Sequence, residues 1–157
     1  MKKHIRLTFL VILLVIGSLV VYEFYQVKHN TSLLVKNIQL QLTKHDIGQF
    51  TKVTVHIIGE IPKGSTKLTI FADNRYLEFS PKSFQEENGI TYEGQKAGGA
   101  DTIFSLTPDF DGDLTISYLR KGEIYNPPLI YAYIESQIDS FLFRDTKVWS
   151  KIFELKG

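Results

Sequence analysis

The chain contains no cysteine among its 157 residues. That absence excludes structural disulfides, zinc sites built on thiolates, a cysteine nucleophile and a lipid attached through a cysteine. Packing must therefore supply the stability of the fold. Hydrophobic residues make up 43% of the chain and charged residues 22%, so the composition is that of a globular protein with a core.

Outside the first few positions the chain has no excess of basic residues. The formal net charge is +1, and Lys2, Lys3 and Arg6 contribute +3 of it, which leaves 1 − 3 = −2 for the rest of the chain. Binding to the phosphate backbone of a nucleic acid depends on clustered Lys and Arg side chains. We therefore expect no nucleic acid among the partners.

Sequence spacings typical of catalytic or metal sites are also missing. The chain has neither the G-x-S-x-G of a nucleophile elbow nor the G-K-[ST] of a phosphate-binding loop. Its histidines do not follow a spacing that would place two imidazoles on one metal; they are His4, His29, His45 and His56. We predict no catalytic residue, no metal ligand set and no cofactor, and the sequence does not assign the residues that bind a partner.

Acidic residues cluster at Asp109, Asp111 and Asp113, an alternation that resembles the start of a calcium loop. Counted from Asp109, however, glycine falls at position four instead of six, and position twelve is Arg120 instead of glutamate. We interpret the segment as an ordinary turn centred on Asp111 and Gly112, with a calcium site as the alternative.

One long hydrophobic run is present, and it follows the basic residues directly. Residues 7–22 carry no charge and would rise about 24 Å as a helix, so Phe24 and Tyr25 are needed to complete a span of about 30 Å. We predict a cytoplasmic basic tail at 1–6 and a transmembrane signal anchor at 7–25. A signal peptide cleaved near Gly17 and Ser18 is the alternative. The positive-inside rule places everything after the anchor outside the cytoplasm.

The rest of the chain alternates apolar and polar residues with a period of two, which is typical of strands. Residues 26–32 are polar and unpatterned, and we predict a stalk at 26–34 before this pattern begins. Short blocks separated by Gly, Pro, Asn and Asp then predict seven or eight strands, at 38–42, 53–57, 66–71, 76–79, 90–93, 102–106, 114–119 and 129–135. The prediction is a mainly β domain at 35–135.

The last three of these blocks resemble the end of an immunoglobulin-like sandwich. A turn with Asp111 and Gly112 precedes a strand that carries Tyr118, and a further strand follows after Pro127 and Pro128. The resemblance implies an immunoglobulin-like antiparallel β-sandwich of two sheets. A partly open barrel is the alternative fold.

The tail at 136–157 predicts a short amphipathic C-terminal helix. On a helical wheel one face collects Phe141, Val148, Ile152 and Leu155, whereas charged residues take the other face. Its apolar face would cap one end of the sandwich or, through Trp149, Ile152 and Phe153, lie on the membrane surface. A hairpin is the alternative for this segment.

These features predict a single-pass membrane protein that displays a non-catalytic binding or protein-interaction module of the cell envelope. Its partners would be the membrane and another envelope protein or surface ligand. Tyr125, Tyr131 and Tyr133 are candidate contacts because tyrosine is common in interfaces, although tyrosines also fill the interior of sheets. The alternative is an envelope enzyme whose acidic site is assembled from distant strands and includes the Asp109–Asp113 cluster.

Overall fold

The computed structural model describes residues 2–62, 64–84, 89–110, 112–122, 128–137 and 146–155. Helix α1 (Lys2–Ser32) continues into a π-helical segment (Leu33–Asn37), and a 3-10 turn lies at Pro81–Ser83. The strands in these residues are β1 (Gln39–Ile47), β2 (Phe50–Ile58), β3 (Thr66–Ala72), β4 (Leu77–Phe79), β5 (Ile90–Gln95), β6 (Asp101–Leu106), β7 (Asp113–Arg120), β8 (Ile130–Gln137), β9 (Lys147–Trp149) and β10 (Phe153–Glu154).

The apolar run is confirmed as one helix near the N-terminus that is long and apolar enough to span a membrane. Its most apolar window has a mean hydropathy of 2.4, and only 6% of that window is buried. Side chains such as Leu7, Leu14 and Val21 are more than half exposed. A helix in the core of a soluble domain would bury these side chains, so the exposed surface is suited to lipid.

The segment at 26–34, predicted as a stalk, is helical and enters the domain. It contains neither Gly nor Pro, so nothing in the sequence ends α1 before the domain begins. Val27 packs against the core and Leu34 is completely buried. The helix ends where the backbone of Ile38 turns extended and its N–H donates to the carbonyl of Leu33 at 3.0 Å. Helix α1 and the β domain are therefore joined by packed structure.

The strands form two antiparallel sheets, which confirms the prediction of a mainly β domain. The four-stranded sheet has the order β1-β2-β7-β4. The six-stranded sheet has the order β10-β8-β3-β6-β5, with β9 also paired to β8. Chain neighbours β6 and β7 belong to different sheets, so the acidic segment between them crosses from one sheet to the other.

Both sheets contribute to one hydrophobic core. Phe79 of the four-stranded sheet meets Tyr92 and Phe104 of the six-stranded sheet, with ring centroids 5.2 and 6.2 Å apart. Alternate residues of each strand point into this core because successive side chains of a strand face opposite sides. On β8 these are Ile130, Ala132, Ile134 and Ser136, all buried.

Strand β1 is longer than the strand predicted at 38–42. It ends at Ile47, and a two-residue turn with Gly48 at φ 57° leads into β2 at Phe50. The predicted strand was too short because Lys44 and Asp46, both exposed, interrupt the apolar alternation after Leu42. Asp46 accepts a hydrogen bond from Thr51 at 2.6 Å. Charged residues on an edge strand disfavour pairing with another chain.

The predicted C-terminal helix is wrong for the part of the tail that the structure describes. Strands β9 and β10 lie in turn along the free edge of β8, separated by an irregular step at Ser150. The backbone N–H of Ser150 donates to Ile134 O at 2.8 Å, and the N–H of Ile134 donates to the Ser150 hydroxyl at 2.9 Å. A serine side chain thus completes the backbone ladder where the strand is interrupted.

Replacing that serine removes the hydroxyl to which the buried Ile134 N–H donates. We expect Ser150→Ala to lower the free energy of unfolding by about 1–3 kcal/mol, because an unpaired buried donor loses its hydration without compensation. Chemical denaturation of the full chain in detergent measures this change. Ser65→Ala, at an exposed serine, is the control and should change stability by less than about 0.5 kcal/mol. Equal effects of the two variants would contradict the role assigned to Ser150.

Two hydroxyl groups are buried between the sheets, on Tyr118 of β7 and Thr102 of β6. Within the described residues neither hydroxyl has a hydrogen-bond partner of acceptable geometry. Burial raises the pKa of Tyr118, and the nearby Thr102 offsets this effect only in part. We expect Tyr118→Phe to leave stability unchanged or raise it by up to about 1 kcal/mol, because it removes a buried polar atom at constant shape. Denaturation that shows a loss above 1 kcal/mol would mean that the hydroxyl is hydrogen-bonded.

Candidate binding surface

The outer face of the six-stranded sheet carries exposed and half-buried aromatic rings, and we call it the aromatic face. It is defined by Phe71 of β3, Tyr131 and Tyr133 of β8, and Trp149 of β9. The alternation that buries Ile130, Ala132 and Ile134 turns both tyrosines outward. Phe71 and Tyr131 are register partners, and their rings stack with centroids 4.6 Å apart and planes within 7°. Trp149 is 51% exposed.

Side chains of the aromatic face pack closely against one another. Thr69 pairs with Ile103 on one side and with Tyr133 on the other. Although it points away from the core, Thr69 is only 4% exposed, so its larger neighbours cover it. Such mutual packing reduces the side-chain entropy that would be lost when a partner binds.

Ion pairs hold the polar side chains between the rings. Glu135 binds Lys147 at 2.8 Å and accepts a hydrogen bond from the indole N–H of Trp149 at 2.9 Å. Burial alone would raise the pKa of Glu135, but the bonds from Lys147 and Trp149 outweigh burial and lower it. The carboxylate therefore stays charged and fixes the orientation of the indole.

A second carboxylate, that of Glu93 on β5, contacts side chains on β3 and β6. It forms an ion pair with Lys67 and accepts a hydrogen bond from the Ser105 hydroxyl. The Lys67 hydrogen bond is the largest cause of the lowered pKa of Glu93, and Ser105 adds to it. Because both carboxylates are paired with lysines, this part of the face presents balanced charge to a partner.

At the end of β6 where Asp101 pairs with Phe71, Lys96 and Asp101 form an ion pair of 3.2 Å. Burial is the largest single influence on the pKa of Lys96 and would lower it, but Asp101 and Tyr133 together outweigh burial and raise the pKa. Burial and the nearby Asp101 raise the pKa of Tyr131. The Tyr131 hydroxyl is thus kept protonated as a donor beside a paired carboxylate.

Of the tyrosines that the sequence suggested as contacts, Tyr131 and Tyr133 lie on the aromatic face and not in the core. Tyr125 falls outside the described residues. Sequence reasoning missed Phe71 and assigned Trp149 to a helix. Alternation within residues 66–72 could have predicted that Phe71 faces outward. Its stacking on Tyr131, however, follows only from the pairing of β3 with β8.

The acidic cluster between β6 and β7 is not assembled into a site in the described part of the chain. Asp109 is exposed, and Asp113 forms an ion pair with His56, its register partner on β2. Asp111 lies outside the described residues. His56 is half exposed on the outer face of β2. Among the residues described, no three His, Asp or Glu side chains are placed to share a metal ion.

Stacking and ion pairs fix the orientation of the rings, so the aromatic face is suited to binding a partner. Tyr and Trp supply large contact areas with little loss of conformational freedom, and such residues contribute much of the binding energy in interfaces. A functional assignment depends on this geometry, because no protein-family model matches the chain and no curated protein is significantly similar to it.

Proposed function

We propose that this protein is a non-catalytic protein-interaction module of the cell envelope, anchored by one membrane-spanning helix and displayed outside the cytoplasm. The aromatic face would bind another envelope protein or a surface ligand. The observation that carries the proposal is the outward-facing set of Phe71, Tyr131, Tyr133 and Trp149. Aromatic rings with a polar edge favour interfaces because the ring is buried while the polar atom keeps a hydrogen bond.

The charge distribution around α1 supports this orientation. Lys2, Lys3 and Arg6 precede the apolar run, and the first charge after it is the acidic Glu23. Lys and Arg are retained on the cytoplasmic side of a membrane helix, so the β domain would be outside. The exposed apolar surface of α1 supports a membrane span.

The order of the strands supports an immunoglobulin-like sandwich. That fold places its first, second, fifth and fourth strands in one sheet and its third, sixth and seventh in the other. Here β1-β2-β7-β4 and β10-β8-β3 follow this order if the β5–β6 hairpin is counted as an insertion before the fifth strand. The inserted hairpin extends the sheet that carries the aromatic face beyond β3, because β6 pairs with β3.

Site-specific crosslinking tests the binding role. We expect a photo-crosslinking residue at Trp149 to give a defined adduct in the cells that express the full chain. The same probe at Thr54, on the outer face of the four-stranded sheet, is the control and should give none. With the captured partner purified, Tyr133→Ala should weaken binding by about tenfold, or about 1.4 kcal/mol. An adduct from Thr54 and none from Trp149 would reject the aromatic face.

Anchoring and orientation are tested separately. Protease added to intact cells should digest the β domain, and the membrane-extracted protein should have the full-length mass. A mass without the first ~17–25 residues would identify the apolar run as a cleaved signal peptide. Protection of the domain in intact cells would overturn the proposed orientation.

A further inference from the structure

Strand β1 forms one edge of the four-stranded sheet, and the last part of this edge is exposed. One side of β1 pairs with β2, and among the strands that the structure describes none is hydrogen-bonded to its other side. From Thr43 to Ile47 every residue is exposed, on both faces of the strand. The segment 43–47, which we call the β1 edge, is therefore open to another strand.

The backbone groups that point outward from the β1 edge are those of Lys44 and Asp46. Gln49, which precedes β2, accepts a hydrogen bond from the N–H of Arg120 on β7 at 2.9 Å. Backbone groups of successive residues point to opposite sides of a strand, so odd-numbered residues of β2 bond to β7 and even-numbered residues bond to β1. The register pairs these even-numbered residues with odd-numbered residues of β1. Lys44 and Asp46 therefore direct their N–H and C=O groups to the open side.

Lys44 and Asp46 also carry opposite charges on one face of β1. Both side chains are exposed, and their register partners on β2 are the uncharged Val53 and Thr51. The Thr51 hydroxyl donates to Asp46 Oδ1 at 2.6 Å, which orients the carboxylate. Because a carboxylate accepts several hydrogen bonds, Asp46 can bind a lysine in addition to Thr51.

A second copy of β1 matches these charges in one antiparallel register. When His45 lies opposite His45 of the partner subunit, Lys44 lies opposite Asp46 of the partner subunit, and the reverse pair forms by symmetry. Each of these two pairs also exchanges both backbone hydrogen bonds, because its backbone groups point to the open side. Opposite charges directly across a strand pair stabilise it. A register centred on Lys44 or on Asp46 would instead place like charges opposite each other.

The same two charges disfavour pairing with an unrelated strand. Such a strand would leave Lys44 and Asp46 opposite groups of the wrong charge or of none, and charges on an edge protect it from unspecific pairing for this reason. Specificity of an interface depends on the difference between the right and the wrong partner. The β1 edge therefore selects its own sequence in antiparallel orientation.

We propose that two copies of the protein in one membrane form a symmetric dimer by antiparallel pairing of their β1 edges. The two-fold axis passes beside His45, and the two four-stranded sheets become one continuous sheet. None of the residues of the β1 edge belongs to the aromatic face. The dimer thus presents two aromatic faces to partners, and binding at two sites raises the overall affinity.

The strand pairing does not depend on the membrane, but the placement of both copies in one membrane rests on the proposed function, because it requires α1 to span the bilayer. Antiparallel strands direct the two α1 helices away from opposite ends of the paired edges. Both helices enter the same membrane when the two-fold axis lies along the membrane normal, with β1 along the membrane surface.

A single engineered cysteine tests the register, because the chain has no cysteine of its own. In the proposed dimer the two His45 residues form a pair without backbone hydrogen bonds, with Cα atoms about 4.5 Å apart, and a disulfide accepts about 4.4–6.8 Å. We expect full-length His45→Cys, oxidised with copper phenanthroline in membranes or in detergent, to give a disulfide-linked dimer. Thr43→Cys is the control, since Thr43 lies opposite Ile47 of the partner subunit and the two Thr43 Cα atoms are about 13 Å apart. Equal crosslinking of the two variants would overturn the register.

Charge reversal tests the pairing between Lys44 and Asp46. In the His45→Cys chain, Lys44→Asp and Asp46→Lys should each lower the dimer yield by about tenfold, because like charges then lie opposite each other. Co-expressed with different tags, the two variants should form mixed dimers at the original yield, since the charges match again. This recovery also shows that both variants are folded. Lys82→Asp, at an exposed lysine outside β1, should change nothing. A yield unaffected by either reversal, or mixed dimers no more frequent than like pairs, would overturn the proposal.

Failure of the pairing is distinguishable from failure of the anchor. Differently tagged His45→Cys chains should crosslink when they share a vesicle and not when they are in separate vesicles that are mixed, and the opposite result would overturn the placement in one membrane. A protein that alkaline carbonate washes off the membrane does not span it, and the proposed function then fails, whereas the dimer in detergent is unaffected. A protein that resists extraction but forms no His45→Cys dimer rejects the pairing alone.

Discussion

Phe104→Ala is expected to lower the free energy of unfolding by about 3–5 kcal/mol, which is among the largest effects of a core substitution. Phe104 is completely buried at the middle of β6. Its ring meets Phe84 and Tyr92 with centroids 5.1 and 5.8 Å apart and meets Phe79 of the opposite sheet edge-on. Truncation would leave a cavity between the sheets and remove contacts that join them.

Denaturation of the full chain in detergent measures this loss, followed by the fluorescence of Trp149, the one tryptophan in the sequence. Phe50→Ala provides a matched control with the same change in volume. Phe50 lies on the outer face of β2 and is 41% exposed, so its truncation should cost less than about 1 kcal/mol. Similar losses in the two variants would mean that Phe104 does not join the sheets.

Gly59→Ala is expected to have the second-largest effect and to act on the junction between the helix and the β domain. Gly59 has φ 117°, a conformation that residues with a side chain rarely adopt. An added Cβ would also overlap the backbone carbonyl of Asn37, which cannot rotate away as a side chain can. The strained backbone costs about 1–3 kcal/mol and the overlap a similar amount.

Gly48→Ala separates these two costs. Gly48 has φ 57°, and a Cβ there would meet nothing within 4 Å, so this variant introduces backbone strain without overlap. We expect its loss of stability to be about 1 kcal/mol, and that of Gly59→Ala to exceed it by about 2 kcal/mol or more. Equal losses in the two denaturation curves would show that the helix end tolerates displacement from the β2–β3 connection.

Local sequence pattern was sufficient for the helix and for the faces of most strands. An uncharged apolar run forms a helix in lipid because every backbone group must be hydrogen-bonded within the segment. Period-two alternation assigned Ile130, Ala132 and Ile134 to one side of β8 and Tyr131 and Tyr133 to the other. These features depend only on the geometry of the backbone and on residues close in the chain.

The tail shows where local pattern fails. Val148, Ile152 and Leu155 fit one face of a helix, yet the structure has strands β9 and β10 there. The free edge of β8 offers unpaired backbone groups, and the tail satisfies them, with the Ser150 hydroxyl filling the step between the strands. Long-range pairing of this kind outweighs a weak local preference for helix.

An apolar N-terminal helix, a mainly β domain without cysteine and the inward or outward direction of most strand residues all follow from local pattern. Which strands are neighbours does not, and neither does the stacking of Phe71 on Tyr131. Side-chain direction depends on the local pleat of a strand, whereas strand order depends on contacts between residues far apart in the chain.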